Sequence, residues 1–444
     1  MDTRALAEAS VKKCLKKGAD AAEIYLETSR NLSLEVRKGE IETVQEAAGV
    51  GAGIRVFVKG KMAFASSNDL GEKALDDAIG RAITFARITT PDPNNVLPDD
   101  KGLTEVAGLY DPEIARIPMD RKIELAKTAE KLAMKDPRIT KSDGASYQEA
   151  EGEITIANSN GLMKSYKSGG CGFGVSVVAE KGEQKSSGSE SCSRRFFKDL
   201  KPAEEIAAKA ARDATEALDP RPVKTQQAAV IFSPDVAYAL LGGILGAING
   251  ERVLQGASFL GQKMGQRIGS DLITLIDDGT REKGMASEPF DGEGVPTQKR
   301  LVVEKGVLKG FLYNTIAAKR AGVRTTGNAS RGGFTSLPGI GPHSFFMAAG
   351  AAKPEDIVKA TKAGLLVKEV TGYGINPVNG NFSGGASGFW IENGRVAFPV
   401  NGLTIAGTAE AMLNGIDMVA DDLDLDRTMT APTLRIKLLQ IGGE

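Results

Sequence analysis

Glycine at every second position, in two separate runs, is the feature that most narrows what this chain can fold into. Gly49-Val-Gly-Ala-Gly-Ile-Arg-Val and Gly170-Cys-Gly-Phe-Gly-Val-Ser-Val share the pattern G-x-G-x-G-[Ile/Val]-x-Val. Alternate residues of a strand point to one face, so each run predicts a strand with a bare face open to close approach by another backbone or side chain. A second reading is a channel wall along which an extended peptide could lie. The spacing fails the G-x-G-x-x-G nucleotide fingerprint, and no helix opens at the last glycine.

The surroundings of the two runs repeat as well. A helix is predicted over Ala5 to Lys16. Leu32, Leu34 and Val36 then alternate with Ser33, Glu35 and Arg37 up to a Lys38-Gly39 turn. A second strand covers Val50 to Val58, turns at Lys59-Gly60, and leads to a helix from Leu70 to Ala86. A Pro- and Asp-rich connector (Pro91 to Asp100) precedes the same order again. Helix Arg121 to Met134 is followed by strands near Ile139 to Gln148, Glu153 to Asn158 and Gly172 to Val178, and by helix Pro202 to Ala217. Residues 1–222 therefore read as one domain of duplicated helix-and-antiparallel-sheet units.

After Asp219-Pro-Arg-Pro, residues 223–444 read as a second, β-rich domain, in keeping with a length of 444 residues. Ala228 to Phe232 is a short strand. Ser233-Pro234-Asp235 starts a helix, with Ser233 as cap, Pro234 at the first position and Asp235 complementing the dipole. Leu301 to Tyr313 predicts a hairpin turning at Lys305-Gly306, and Phe389 to Phe398 another at Asn393-Gly394, a pair suited to a type I′ turn. A helix near Pro354 to Ala363 and a Gly/Asn-rich loop from Gly372 to Gly388 interrupt the strands. The fold class is α+β, with the second domain mostly antiparallel, barrel-like, and built around a buried helix.

Composition excludes several functions. Fifty-six basic and 57 acidic residues leave a net charge of −1, which gives no electrostatic footprint for direct nucleic-acid binding. No apolar run approaches a membrane span, and the start leads into a charged amphipathic helix, so a soluble cytoplasmic protein is expected. Cys14, Cys171 and Cys192 form no C-x-x-C pair and fit a reducing compartment. His343 is the single histidine. Zinc hydrolase sites and Ser-His-Asp or Cys-His catalysis would all have to run through it.

The helix from Val236 to Gly250 is apolar or small on every face, as a buried helix is, with Gly242, Gly243 and Gly246 inside it. Each glycine costs about 1 kcal/mol relative to alanine, which close packing of another element would offset. Here a resemblance becomes specific. Ala229-Val-Ile-Phe-Ser-Pro, Leu240-Leu241, Ala257-Ser-Phe-Leu-Gly-Gln-Lys-Met-Gly, Leu275-Ile-Asp-Asp-Gly, Thr326-Gly-Asn-Ala-Ser-Arg, Gly385-Ala-Ser-Gly-Phe-Trp-Ile-Glu-Asn-Gly and Phe398-Pro-Val-Asn-Gly-Leu-Thr-Ile-Ala-Gly occur in an order that resembles the TldD/PmbA peptidase family. The resemblance spans essentially the whole chain. It implies a helix on which TldD carries His-Glu-x-x-x-His, with a later cysteine completing a zinc site. Aligned on Leu240-Leu241, those positions hold Gly242, Gly243 and Ala247, and no cysteine follows Cys192. The resemblance is therefore to the PmbA (TldE) branch, with no catalytic residue, no metal and no cofactor of its own.

That resemblance implies a TldD-like zinc subunit as partner, zinc being expected only there, and peptides or unfolded chains as substrates. The alternative is a homodimeric peptide-binding or regulatory protein, since the family has also carried a label as a modulator of DNA gyrase. Arg324, Asn328 and Arg331, in a donor-rich loop at a family-like motif, are the candidate substrate-binding residues. His343, in a turn-rich entry to a strand, reads as a surface or hydrogen-bonded residue. Ser10-x-x-Lys13 matches S-x-x-K without its companion motifs. Asp277, Asp278, Asp291 and Glu293 read either as turn formers or as the lining of a cleft, and Asp421 to Asp426 as a solvated acidic edge.

Overall fold

The structure, a computed structural model, describes residues 2–99, 102–372 and 374–444. Asp100 at the end of the expected connector and Tyr373 in the expected Gly/Asn-rich loop lie outside the described residues. The first unit runs α1 (Thr3–Lys16), β1 (Ala21–Arg37), β2 (Glu40–Val58), β3 (Lys61–Ser67) and α2 (Glu72–Ile88). The second runs α3 (Met119–Ala133), β4 (Ile139–Asn158), β5 (Met163–Lys181), β6 (Gln184–Arg194) and α4 (Ala203–Glu216). Their strands form one antiparallel sheet in the order β3-β2-β1-β4-β5-β6. The pairing Ser29–Gly49 of the first unit recurs as Ala150–Gly170 in the second, so the duplication is carried into the register. With β1 and β4 antiparallel at the centre, the two units are related by an approximate two-fold axis normal to the sheet.

Sequence chemistry explains the hairpins. Lys38-Gly39 and Lys59-Gly60 both hold φ values between 51° and 76°, as a two-residue turn matched to strand twist requires. One face of the sheet carries the helices. Ala22, Ile24 and Leu26 of β1 pack under α1 and α2, and Leu32, Leu34 and Val36 of the same strand under α3 and α4. The strands are longer than their apolar alternation. β1 continues through Thr28-Ser29-Arg30-Asn31 because both its ladders are unbroken there, and β4 joins the two strands expected near 139–148 and 153–158. The serine-rich β6 has no hydrophobic pattern and was not expected.

In the second half, Gln226–Phe232, Ala363–Thr371, Asn381–Glu392, Arg395–Thr408 and Leu434–Gly442 close on themselves as a five-stranded barrel, parallel only between the first two. A second sheet is built on Leu275–Asp278, Lys299–Glu304 and Ser344–Met347. The Asn393-Gly394 turn forms with φ of 50° and 75°. The Lys305-Gly306 turn also forms, but the return strand is only Val307–Leu308. Half of the expected loop Gly372 to Gly388 is instead strand from Asn381, since Gly384 and Gly388 let neighbouring backbone close in and Gly385 admits the Thr371 side chain. The helix expected near Pro354 to Ala363 stops at Lys359. Among the described residues no helix is long and apolar enough to cross a membrane.

The glycine runs find their reason at the junction of the halves. Phe334 from the second half lies on Gly51 and Gly53 of β2. Its carbonyl oxygen would stand 2.6 Å from a Cβ at Gly53, and its ring occupies the place of a Cβ at Gly51. In the second run, Gly172 and Gly174 are hemmed by Ser193 and Ser191 of β6.

Candidate functional site

Helix α5 (Pro234–Ala247) follows strand Gln226–Phe232 directly. Ser233 stands at its N-cap but does not cap with its side chain; Oγ donates instead to Val367 O at 3.1 Å, tying the helix start to the barrel. Asp235 in the first turn accepts from Arg427 at 2.7 Å and from Lys209 of α4 at 3.3 Å. Burial alone would raise the Asp235 pKa, but these two cations outweigh it and hold the carboxyl below its ordinary value.

Val236, Ala237, Leu240, Leu241, Ile244 and Ala247 are buried in the main core of this half. One stripe stays open, where Tyr238 is 47% exposed and Gly242 follows one turn later. A Cβ at Gly242 would meet nothing within 4 Å, so the first slot position faces open space. At Gly243 a Cβ would fall on the backbone and Cβ of Ile375, and at Gly246 it would stand 2.9 Å from Pro377 Cβ. The segment 374–377 thus fills the glycine face, which accounts for two of the three helix glycines. Ala247, the third slot position, is fully buried. None of Gly242, Gly243 and Ala247 offers a donor atom, and no group of three or more His, Cys, Asp or Glu suited to a metal exists among the described residues. These residues do not fit a zinc ion.

The loop chosen for its donors folds inward. Asn328 is 1% exposed; its amide donates to Asp277 at 2.7 Å and to Gly341 O at 3.1 Å. Arg331 donates to Gly292 O at 2.6 Å and Ser336 O at 3.0 Å, and pairs with Glu23 of β1. Its side chain is 1% exposed. Arg324 alone of the three is exposed, so they share no surface.

Around Arg331 lies a charged knot that sequence reading missed. Arg55 of β2 bonds Glu23 at 2.6 Å and Glu293 at 2.9 Å, all of them buried. Burial would discharge Arg55, and the two carboxylates more than reverse that. Beside them, Asp291 is pushed up to about 7, by burial first and Glu293 second, against three backbone N–H bonds from Ala329, Glu293 and Val295. The one available signal was Arg55 itself, a charge inside an alternating strand; its partner Glu293 lies 238 positions away.

His343 is buried rather than on the surface. Its backbone N–H donates to Asp277 at 2.7 Å, Nε2 lies 2.7 Å from Gly327 O, and Nδ1 lies 3.2 Å from Glu288. Burial opposes its charge, but Glu288 and Asp277 outweigh it and raise the pKa to about 9. As an imidazolium it donates from both nitrogens, which leaves neither for a metal or a nucleophile. Ser10 is buried in α1 while Lys13 turns to Asp76, so the S-x-x-K match makes no site. The acidic run is anchored rather than free: Asp421 pairs with Lys353, Asp422 accepts from Thr433, and Asp426 pairs with Arg194. Cys14 and Cys171 are buried, and burial pushes both thiols up to about 12.

Comparison with known proteins matches three family models in order. They are PmbA/TldA metallopeptidase domain 1 at residues 22–86, the central domain at 112–218 and the C-terminal domain at 225–443. The chain is 32% identical to Metalloprotease PmbA of Escherichia coli O157:H7, over 96% of this chain and 93% of that one. It is 25% identical to a Metalloprotease TldD homolog of Haemophilus influenzae, over 96% and 93%. The crystal structure of TldE from Thermococcus kodakarensis superposes with a TM-score of 0.91 at 27% identity, over 99% of this chain and all of that one.

Proposed function

The chain belongs to the PmbA/TldD metallopeptidase family, and from that premise we propose that it is the subunit without metal in a two-subunit peptidase acting on peptides or unfolded chains. The observation that carries this reading is the helix slot. Gly242, Gly243 and Ala247 supply no ligand and no base, and Ile375 fills the space beside Gly243. The close likeness to a TldE structure and the related TldD homolog support a TldD-like zinc subunit as partner. Zinc, the general base and the cleavage then belong to that partner, and this chain supplies half of the enclosure that holds an extended substrate. Arg324 is the proposed contact with peptide or partner; Asn328 and Arg331 are proposed to hold the loop that presents it. We also propose a division into domains at 222/223, supported by sheets that each draw strands from only one side of it.

The test is co-expression with a family member carrying His-Glu-x-x-x-His, followed by sizing, zinc analysis and a peptidase assay. The expected result is a complex that binds zinc and cleaves peptide, while this chain alone does neither. Stoichiometric zinc or metal-dependent cleavage by the isolated chain would sink the proposal, as would a failure to associate. Stable homodimers that bind peptide without cleaving it, and no association with the zinc protein, would establish a regulatory role instead.

A further inference from the structure

The sheet face that carries no helices is only half covered. Over the first unit, Phe334 donates its backbone N–H to the Glu27 carboxylate at 2.9 Å and lies on Gly51 and Gly53. Over the second unit the same face opens as a trough of about 790 Å³, within the range of small-ligand and peptide sites. The two are continuous, since Glu27 borders both. Asn31, Ser33, Gln148, Ser191 and Ser193 surround Gly172 on the trough floor, with Met285 as a wall; Arg195 also lines it, its guanidinium engaged by the carbonyls of Gly169, Gly284, Met285 and Ser287. Three carboxylates on the rim, Glu149, Glu151 and Glu153, alternate with Gln148 and Ala150 and so point to the helix side, where Arg30 bonds Glu149.

The approximate two-fold shows what this place suits. The pair Glu27–Gly51 of the first unit corresponds in register to Gln148–Gly172 of the second. In the first unit that pair carries a tight turn of the chain itself, closed by the Ser336 N–H on Gly333 O and held to Glu27 by the Phe334 N–H. In the second unit a carboxamide replaces the carboxylate, and an amide both donates and accepts. Hydroxyls and an amide without net charge match a peptide backbone rather than an ion or an apolar surface.

We propose that the trough over Gly172 binds a peptide turn through its backbone amides, Gln148 playing the part that Glu27 plays for Phe334. This deepens the reading of the chain as a peptide-handling subunit, but it is measured on the chain alone. Its failure is therefore separable from a failure to associate with a zinc partner. The probe is a fluorescent, end-capped heptapeptide Gly-Gly-Phe-Thr-Ser-Leu-Pro, copying 332–338, titrated by polarisation against the full chain.

Saturable binding is expected. Gln148→Trp and Ser191→Trp, at exposed positions, should each weaken it by about tenfold or more, as should N-methylation of the peptide backbone. Lys131→Trp, exposed on α3 across the sheet, should leave it unchanged, and melting curves of all variants should superimpose on the parent. No saturation at millimolar peptide overturns the proposal. So does equal affinity in the trough variants or for the methylated peptide, or a matching loss in Lys131→Trp.

Discussion

Gly242→Ala and Gly243→Ala are one residue apart, chemically identical, and should move stability in opposite directions. In a helix interior alanine is favoured over glycine by about 1 kcal/mol. At Gly242 the new methyl meets nothing within 4 Å, so most of that gain should appear. At Gly243 it lands on Ile375, and the segment has little room to retreat: Gly374 already lies so close that a Cβ there would stand 2.6 Å from Ala239 O. Overpacking of this kind costs about 1–3 kcal/mol, so the net effect at Gly243 is destabilising by roughly 0–2 kcal/mol. The two variants should differ by about 1–3 kcal/mol, with Gly246→Ala, 2.9 Å from Pro377 Cβ, between them. Urea unfolding followed at Trp390 reads this directly, because the chain's single tryptophan is buried in a barrel strand of the same half. If Gly243→Ala stabilises as much as Gly242→Ala, segment 374–377 does not fill the slot, and the argument that zinc chemistry has no room there loses its geometric support.

Other outcomes follow from the same geometry. The triple variant Gly242→His, Gly243→Glu, Ala247→His should hold no stoichiometric zinc after dialysis, because two of the three side chains enter filled space; one tight zinc per folded chain would refute this. Arg55→Met should destabilise by about 3–5 kcal/mol, since it leaves the buried Glu293 without its cation while Glu23 keeps Arg331, and a thermal-shift loss within error of zero would contradict it. Between about pH 4 and 9 two groups should make stability fall as pH rises. Asp291 holds its proton in the folded chain up to about 7, where an unfolded aspartate has lost it near 4, and His343 holds its own up to about 9 against 6.5 unfolded. The His343 contribution is thus complete below 6.5 and lost by about 9; His343→Gln should flatten the urea-midpoint curve across that window.

Much of the architecture was legible because turn and glycine chemistry is local. Lys38-Gly39, Lys59-Gly60 and Asn393-Gly394 marked hairpins that exist, and the glycine runs marked the duplication. What failed to show was strand length. β1 at Thr28 to Asn31 and most of β6 carry polar or small residues on both faces, so the alternation that identifies a half-buried strand is absent there. The slot on α5 was readable because missing ligands are a matter of residue identity. The direction of the 325–331 loop was not: its burial depends on Glu23, 308 positions away, and no local pattern encodes such a meeting.

The barrel of the second half has a consequence for how the molecule comes into being. Its strand Gln226–Phe232 is flanked by Ala363–Thr371 and Leu434–Gly442, and the last of these also seals the ring against Arg395–Thr408. During synthesis at about 5–20 residues per second, the early strand must wait roughly ten to forty seconds for its final neighbour to be made. The six-stranded sheet, whose neighbours are mostly hairpin partners, is complete long before. On the ribosome the apolar helix after Phe232 therefore emerges beside a finished half and an unfinished one, and this interval is when the nascent chain most needs shielding.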